Sequence, residues 1–313
     1  MVSCLSGIPG LDVREDVPLR EVTRFGLGGP ARVLADAVTE SGLAAAVAHL
    51  CGAGLPHALI GGGSNLIASD AGFTGVVLRY TAPKIDIKGP LLIAEAGAVL
   101  QHLVDFSIER GLRGLETMTG IPGWVGGAVY GNAGAYGHSI QERIQWVRFF
   151  DGQRFREISN AECDFRYRES IFKVRKDWIV VAVALRLDPA DPLELRASAD
   201  GIIKIRNVKY PPTMRCAGSI FKNLILADLP PDIRAKVPAT VIREGKVPSA
   251  YFLQEVGAKG MLNGSIQVAD YHANLIFNAG GGTAEQLREV IETLKLRVKN
   301  AYGLELEEEV QYL

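Results

Sequence analysis

Two glycine-rich segments are the clearest candidates for ligand binding in this sequence of 313 residues. The first is residues 61–65, with the sequence GGGSN, and the second is residues 120–137, which begins GIPGWVGG. Because glycine lets a backbone approach a ligand closely and present its N–H groups, such segments can hold a diphosphate. Two of them suit a long ligand with a diphosphate in its middle, such as a dinucleotide. The alternative is that both segments are only tight turns.

Neither of two common phosphate-binding motifs fits this chain. The sequence contains no GxxxxGK[ST] loop, which excludes a Walker A site. Residues 26–31 match GxGxxA, but a predicted strand follows them, so the helix N-terminus that would receive a pyrophosphate is missing. We therefore predict no Rossmann site there.

Composition excludes several classes of function. The chain has 34 basic and 35 acidic residues, and a net charge of -1 gives no reason to expect nucleic acid or an anionic membrane as a partner. No apolar run reaches membrane-spanning length, and the first residues do not resemble a signal peptide. The cysteines form no CxxC pair, so we expect no metal site and a reducing, cytoplasmic location. These cysteines are Cys4, Cys51, Cys163 and Cys216.

Hydrophobic periodicity predicts a βαβ unit before the first glycine segment. Residues 32–37 form the predicted first strand, a helix carrying Leu43, Val47 and Leu50 follows, and residues 57–60 form a short buried strand. This unit would place residues 61–65 at the carboxyl end of a strand, where open α/β sheets tend to bind ligands.

Later periodic segments predict further elements. They are a helix over residues 99–110, strands over 144–150 and 178–187, and a helix over 283–302. Thr283 and Gln286 predict a capping box at the start of the last helix, and Gly303 predicts its end. The proline-rich residues 224–249 predict an excursion on the surface of the C-terminal lobe.

Six segments occur in an order and spacing that carry a family resemblance over nearly the whole chain. They are TRFGLGGPA (23–31), LIGGGSNLIASDAGFTGVVL (59–78), GLETMTGIPGWVGGAVYGNAGAYG (114–137), CDFRYRESIFK (163–173), AGSIFKN (217–223) and LELEEEV (304–310). Together they resemble the UDP-N-acetylenolpyruvoylglucosamine reductase (MurB) family of bacterial cell-wall synthesis.

The resemblance implies an α+β fold and a monomer. The implied fold consists of a two-part FAD-binding domain of the vanillyl-alcohol-oxidase (PCMH) type and a C-terminal α/β substrate-binding lobe. The expected division is 1–79 and 80–206 for the two FAD-binding subdomains and 207–305 for the substrate lobe, with strand 306–313 returning to the first subdomain. The chain lacks a long tyrosine-bearing insertion between residues 185 and 206, so it resembles the smaller subtype.

The resemblance also implies noncovalent FAD as cofactor and NADPH as reductant. In the first segment and the residue after it, the implied cofactor-binding residues are Gly61, Gly62, Gly63, Ser64, Asn65 and Leu66. In the second segment they are Ile121, Pro122, Gly123, Gly126, Gly127, Asn132, Ala133 and Gly134.

The implied reaction is reduction of UDP-N-acetylglucosamine enolpyruvate to UDP-N-acetylmuramate. Hydride reaches the vinyl carbon, and negative charge develops beside a carboxylate. Arg168 matches the family arginine that would stabilise this charge, Ser219 the proton donor, and Glu309 the glutamate that works with the arginine. Choosing Glu309 over Glu307 or Glu308 depends on register alone.

Further positions match substrate contacts, and two depart from the family. The implied substrate contacts are Tyr167, Asn223, Lys259 and His272. Trp124 stands where the family usually has a small hydroxyl residue, and Tyr251 where relatives often have lysine or tryptophan.

Two other functions stay open at this level. One is a different flavin oxidoreductase of the same domain type, such as a small-alcohol oxidase, which would pass electrons to oxygen. The other is a noncatalytic nucleotide-sugar-binding protein, which would bind the sugar without turnover.

Overall fold

The structure, a computed structural model, describes residues 5–313. They divide into two compact units. Unit 1 comprises the described residues up to Val17, Ala31–Gly63 and Phe73–Pro211, and unit 2 comprises Pro18–Pro30, Ser64–Gly72 and Pro212–Leu313. The finer three-part division expected from the sequence stays a prediction.

The elements are named in chain order. The strands are β1 Leu11–Pro18, β2 Pro30–Ala37, β3 His57–Leu59, β4 Leu66–Ile67, β5 Phe73–Tyr80, β6 Ile85–Lys88, β7 Leu91–Glu95, β8 Leu112–Arg113, β9 Gly134–Ala135, β10 His138–Ser139, β11 Ile144–Phe150, β12 Phe155–Ser159, β13 Ile179–Leu185, β14 Asp188–Pro189, β15 Arg215–Ser219, β16 Leu224–Ile225, β17 Lys246–Val247, β18 Leu262–Asn263, β19 Ile266–Val268, β20 Leu275–Asn278 and β21 Gln311–Tyr312. The α-helices are α1 Glu40–Gly52, α2 Leu100–Glu109, α3 Val125–Tyr130, α4 Ile171–Val174, α5 Pro192–Lys209, α6 Pro231–Arg234, α7 Ser249–Glu255 and α8 Ala284–Tyr302.

The first sheet of unit 1 contains the predicted βαβ unit. Its strand order is β1-β2-β5-β3, and both β2 and β3 run parallel to β5, which lies between them. Thr39 caps α1 by accepting a hydrogen bond from the Gly42 N–H, and the predicted face of α1 is buried. The prediction that the strand near residues 57–60 is buried was wrong. β3 is an edge strand, and His57 and Leu59 are exposed.

The second sheet of unit 1 supplies most of its core. Its order is β12-β11-β13-β7-β6, with antiparallel neighbours throughout. Every residue of β13 is buried, as its apolar sequence IVVAVAL requires. The helix α3 packs against this central strand. The strands predicted over 144–150 and 178–187 and the helix predicted over 99–110 are confirmed within two residues.

Unit 2 is built on a four-stranded antiparallel sheet and the long helix α8. The sheet order is β15-β20-β19-β18. The predicted capping box of Thr283 and Gln286 is present, and Gly303 ends α8 in the left-handed conformation at a φ of 67°. The carboxylate of Asp70 accepts hydrogen bonds from the first N–H groups of α8, where negative charge is favourable.

The proline-rich excursion and the C-terminal tail are both ordered by short strand pairs in unit 2. Residues 224–249 leave and return through the antiparallel pair β16–β17, and α6 lies between these strands. The tail strand β21 pairs in parallel with β4. Among the described residues, no helix has the length and apolar character needed to span a bilayer, and no cluster of His, Cys, Asp or Glu side chains could hold a metal ion.

Candidate active site

The two glycine segments meet within unit 1 at Trp124. A Cβ built at Gly62 would lie 2.9 Å from Cδ1 of Trp124 and 3.0 Å from its Nε1, so the indole packs directly on the backbone of the first segment. Trp124 is the N-cap residue of α3, and it forms a β-bridge with Val99. Trp124 therefore packs the second glycine segment against the first.

A largely buried ion pair also contacts this indole. The guanidinium of Arg79 lies 5.5 Å from the centre of the Trp124 ring, within cation–π range. Arg79 also donates two hydrogen bonds of 2.5 Å to the carboxylate of Asp36, and Arg14 donates a third of 2.8 Å. Bidentate pairing of this kind fixes the plane of the guanidinium, which in turn fixes the ring it faces.

The glycines of these segments fall into two groups. A Cβ at Gly126 would lie 2.9 Å from Cβ of Ala96, and the Gly126 N–H donates to the Ala96 carbonyl, so close packing explains this glycine. At Gly61 and Gly127, by contrast, an added Cβ would meet nothing within 4 Å beyond the local chain in the part that the structure describes. Packing therefore does not explain Gly61 and Gly127, and both leave backbone surface on which a ligand could lie.

Two threonine hydroxyls beside the second segment need hydrogen-bond partners. Thr117 Oγ1 and Thr119 Oγ1 are buried, and neither finds a partner among residues 5–313. Because a buried hydroxyl without a partner costs free energy, such atoms mark a place where a polar ligand would be stabilised. The sequence analysis did not single out these residues. Their position within three residues of Gly120, the start of the second glycine segment, was the sequence signal that could have identified them.

Arg168 is held against the second glycine segment in unit 1. It occupies a turn in which Arg166 and Glu169 exchange main-chain hydrogen bonds, and its φ is +57°. A non-glycine residue in this region is uncommon and is found more often at functional sites. Its Nη2 donates to the Gly134 carbonyl at 2.9 Å, and the Asn132 amide donates to the Arg166 carbonyl at 2.8 Å.

Asn132 and Tyr167 lie beside this turn. Asn132 is buried, has a φ of 42°, and uses its side chain to anchor the turn, so its predicted contact with a cofactor stays a prediction. The Tyr167 ring faces the Arg168 guanidinium at 5.5 Å. Ile121, Pro122, Gly123 and Ala133 complete the segment around α3.

Ser219 and Glu309 come together in unit 2, although 90 positions separate them in the printed numbering. The Glu309 N–H donates to the carbonyl of Ile220 at 2.7 Å, and Phe221 and Glu308 form a β-bridge. The segment that carries Ser219 therefore runs directly beside the tail. Arg168 belongs to unit 1, and Ser219 and Glu309 belong to unit 2.

One buried asparagine organises the chain next to Ser219. Asn274 is 2 % exposed, and its Oδ1 accepts hydrogen bonds from the N–H groups of Ile220 and Phe221. Its Nδ2 donates to the Phe221 carbonyl and to Ser249 Oγ. His272 holds this turn from the other side, because its Nδ1 accepts from the Asn274 N–H at 3.2 Å. The structure thus gives His272 a structural contact, and its predicted substrate contact stays a prediction.

The three neighbouring tail glutamates have different surroundings. Glu307 pairs with Lys222 at 2.5 Å, and Glu308 pairs with Lys295 at 2.9 Å and with the Tyr312 hydroxyl. The hydrogen bond with Glu308 raises the pKa of Lys295. Glu307 and Glu308 each pair with a lysine, and the choice of Glu309 as the catalytic glutamate stays a prediction.

The end of the first glycine segment is bound to this tail. The Asn65 side-chain amide donates to the Glu309 carbonyl at 2.8 Å, and the Gln311 N–H donates to the Asn65 carbonyl at 2.9 Å. Leu66 pairs with Gln311 as β4 meets β21. Asn65 therefore positions Glu309, a role the sequence analysis did not give it.

The remaining predicted substrate contacts lie in unit 2. Asn223 follows the segment that Asn274 organises, one residue after Lys222. Lys259 is exposed in the turn between α7 and β18. Tyr251, the second departure from the family, lies on α7, where its ring packs edge-on against Phe252.

Comparisons with known proteins identify the family. A model of the UDP-N-acetylenolpyruvoylglucosamine reductase C-terminal domain matches residues 210–313, and a model of an FAD binding domain matches residues 31–153. The UDP-N-acetylenolpyruvoylglucosamine reductase of Solibacter usitatus is 55% identical over 99% of this chain and 99% of its own length. The chain belongs to the UDP-N-acetylenolpyruvoylglucosamine reductase family.

Other members of this reductase family agree with that assignment. The reductase of Rubrobacter xylanophilus is 36% identical over 95% of this chain and 93% of its own length. The crystal structure of the Thermus caldophilus reductase is 28% identical, has a TM-score of 0.76, and covers 96% of this chain and 99% of its own. The α+β fold class, FAD with NADPH as reductant, and the oxidoreductase class predicted from the resemblance are therefore confirmed.

Proposed function

We propose that this chain reduces UDP-N-acetylglucosamine enolpyruvate to UDP-N-acetylmuramate with electrons from NADPH, as a cytoplasmic monomer without a nucleic-acid partner. The observation that carries the chemistry is the hydrogen bond from the Glu309 N–H to the Ile220 carbonyl. It brings the segments of the predicted proton donor Ser219 and the predicted catalytic glutamate Glu309 next to each other. The names of the similar reductases reported above support the same reaction.

The residues of unit 1 fit a bound flavin dinucleotide. Gly61 and Gly127 offer backbone that an added Cβ would cover, and Thr117 and Thr119 offer buried hydroxyls that need partners. Such a surface suits a long ligand that carries both a diphosphate and polar ring atoms. When bound, FAD supplies the two-electron chemistry that connects NADPH to the substrate.

Arg168 is proposed to bind and orient the substrate carboxylate. A guanidinium presents a planar fork that matches a carboxylate, and it keeps its charge throughout the physiological range. The turn around Arg168 holds the residue in the left-handed region, and its Nη2 is directed to the Gly134 carbonyl. An oriented cation of this kind stabilises the negative charge that develops beside the carboxylate during reduction.

Ser219 is proposed to donate the proton to the carbon beside the carboxylate. Serine is a weak acid in water, so this role requires a strongly basic carbon within hydrogen-bond distance of Oγ. Asn274 fixes the two N–H groups that follow Ser219, which limits the movement of this segment. Glu309, whose main chain is hydrogen-bonded to the same segment, is proposed as the catalytic glutamate that the resemblance implies.

The two rival functions make different predictions for purified protein. A small-alcohol oxidase would return electrons from reduced flavin to oxygen in preference to the enolpyruvyl sugar. A nucleotide-sugar-binding protein would bind the sugar without consuming NADPH. The match to the reductase family over nearly the whole chain favours the reductase over both rivals.

Two half-reactions of the Ser219→Ala variant test the assigned roles. We expect NADPH to bleach the flavin at a near-normal rate, whereas reoxidation by the enolpyruvyl sugar slows by roughly 10²-fold or more, the usual contribution of a positioned acid. Ser265→Ala, another serine substitution in unit 2, serves as the matched control and should leave both rates unchanged. Equal loss of both half-reactions in Ser219→Ala would show that Ser219 serves folding or cofactor binding instead.

A further inference from the structure

A pocket of about 380 Å³ in unit 2 has a strongly basic lining. It is lined by Arg20, Glu21, Thr23, Arg24, Gly26 and Arg215. None of these residues belongs to the sets proposed above for FAD or the nucleotide sugar. The roles assigned above therefore do not explain this pocket.

The charges of this pocket do not balance. Three guanidinium groups and one carboxylate give a formal charge of +2 from the lining residues. Several arginines elsewhere have acidic partners, as Arg79 has with Asp36 and Arg148 with Glu40. Within residues 5–313, no carboxylate lies within 4.0 Å of the guanidinium nitrogens of Arg20, Arg24 or Arg215. Three like charges around one pocket repel each other unless an anion joins them.

The wall of the pocket is a fixed loop. Thr23 Oγ1 donates to the Leu27 carbonyl at 2.7 Å and accepts from the Leu27 N–H at 3.3 Å, and the Gly26 N–H donates to the Thr23 carbonyl at 3.1 Å. The buried Asn278, at the end of β20, donates a hydrogen bond of 3.0 Å to the Phe25 carbonyl. This loop would present its arginines without having to be ordered by a ligand, which lowers the entropy cost of binding.

Gly26 makes room for the third arginine. Its φ is +65°, and a Cβ there would lie 3.1 Å from Cδ of Arg215 and 3.6 Å from its Nε and Nη1. Arg215 begins β15, and it pairs with Asn278, the residue that holds the loop. The glycine, the loop and the strand register thus act together to bring the Arg215 side chain into the pocket.

We propose that this pocket binds a phosphoryl group of a phosphate monoester or diphosphate. Guanidinium forks bind phosphate oxygens through paired, charge-assisted hydrogen bonds, and a doubly negative group would neutralise the formal charge of the lining. The volume is at the lower end of the range for small-molecule sites, which suits a compact anion. The proposal does not depend on the proposed function, because its test measures binding.

Isothermal titration of the FAD-bound protein with sodium pyrophosphate, at constant ionic strength, tests the pocket directly. We expect saturable binding that weakens by about tenfold or more in Arg215→Ala and in Arg24→Ala, since each removes one charged pair of donors. Arg297→Ala, an exposed arginine of unit 2 outside the pocket, is the matched control and should bind as the unmodified protein does. Glu21→Gln should tighten binding, because it removes the one negative charge of the lining.

A second measurement, the KM values for NADPH, NADH and the sugar, distinguishes two sources of the phosphoryl group. If the group is the 2′-phosphate of NADPH, Arg215→Ala will raise KM for NADPH and leave KM for NADH and for the sugar unchanged. If it is a free anion, pyrophosphate binding will weaken while all KM values stay the same. The proposal is overturned if pyrophosphate gives no saturable heat, or if Arg215→Ala and Arg24→Ala, shown by circular dichroism to be folded, bind it as tightly as the control.

Discussion

The side-chain amide of Asn65 donates a hydrogen bond to the main-chain carbonyl of Glu309 at 2.8 Å. The Asn65 carbonyl in turn accepts the Gln311 N–H at 2.9 Å, so both sides of this asparagine hold the tail. Since Asn65 is also the last residue of the GGGSN segment, the segment expected to bind the cofactor sets the main-chain position of the proposed catalytic glutamate.

Asn65→Ala should therefore impair the substrate half-reaction more than cofactor reduction. The variant loses the bond to Glu309, while the main-chain bond with Gln311 can remain, so the tail should stay paired but less well placed. We expect reoxidation by the sugar to slow by roughly 10²-fold, the effect of a displacement of about 1 Å at a reacting group. Anaerobic stopped-flow absorbance measures the two half-reactions separately.

An asparagine elsewhere in unit 2 provides the control for this variant. Asn263 donates to the Gln286 carbonyl and to Glu289, so Asn263→Ala also removes two hydrogen bonds. It should leave both half-reactions unchanged. Loss of FAD from Asn65→Ala, with normal reoxidation after FAD is restored in excess, would contradict the positioning role and favour a direct cofactor contact.

Neighbouring glycines of α3 should respond oppositely to alanine. Gly126→Ala places a Cβ 2.9 Å from Ala96 Cβ and 3.2 Å from its carbonyl oxygen, and such overpacking should reduce the free energy of unfolding by about 1–3 kcal/mol. Gly127→Ala has space, and in the FAD-free protein it should gain up to about 1 kcal/mol from helix propensity. Urea unfolding of both apoproteins measures these changes.

The affinity for FAD tests whether Gly127 lies against the cofactor. If Gly127 lies against the cofactor, Gly127→Ala will weaken FAD binding although it stabilises the apoprotein. Unchanged FAD affinity in Gly127→Ala, measured by flavin fluorescence titration, would mean that this glycine is not part of the cofactor surface.

Asn274→Ala should be strongly destabilising. The substitution removes the amide that joins this segment to Ser249, and it leaves the buried Phe221 N–H without its partner, whereas the Ile220 N–H keeps the Asn274 carbonyl and the Phe221 carbonyl keeps Ser249. We expect a loss of about 1–3 kcal/mol in the free energy of unfolding, measured in urea, because that is the usual cost of a buried group without a partner. Asn263→Ala is again the control, and an equally small change in both variants would contradict the organising role of Asn274.

The described cysteines should differ in reactivity with alkylating reagents. Cys51 is exposed, whereas Cys163 and Cys216 are buried. Burial raises the pKa of the Cys163 thiol to about 12, so almost none of the reactive thiolate exists at neutral pH. Peptide mapping after a short iodoacetamide treatment should find Cys51 modified and Cys163 and Cys216 protected, and rapid labelling of Cys216 would reveal opening next to Ser219.

Elements with strong local patterns were predicted correctly from the sequence. Thr283, Gln286 and Gly303 specify both ends of α8 by contacts within a few residues, so the pattern alone is sufficient. The helix α3 was missed, because Gly126 and Gly127 have low helix propensity and packing on Ala96 overrides that preference. The exposure of β3 was also missed, since its place at the sheet edge depends on β5, which follows it in the chain.

The sequence supplied candidate site residues, which stay predictions, but it did not supply the interactions among them. The family resemblance selected Arg168, Ser219 and Glu309. The pairing of Glu307 with Lys222 and of Glu308 with Lys295 depends on tertiary contacts that no local pattern encodes. The same is true of the bond between Asn65 and Glu309, whose partners lie 244 positions apart.

Anaerobic reoxidation of the reduced protein by the enolpyruvyl sugar is the decisive test of the proposed reaction. The purified, FAD-loaded chain is bleached with one equivalent of NADPH in the absence of oxygen, and UDP-N-acetylglucosamine enolpyruvate is then added. We expect the yellow absorbance to return in proportion to the sugar added, and we expect mass spectrometry to find UDP-N-acetylmuramate in an amount equal to the sugar consumed. A flavin that stays bleached with the sugar and regains its colour only when oxygen is admitted would contradict it.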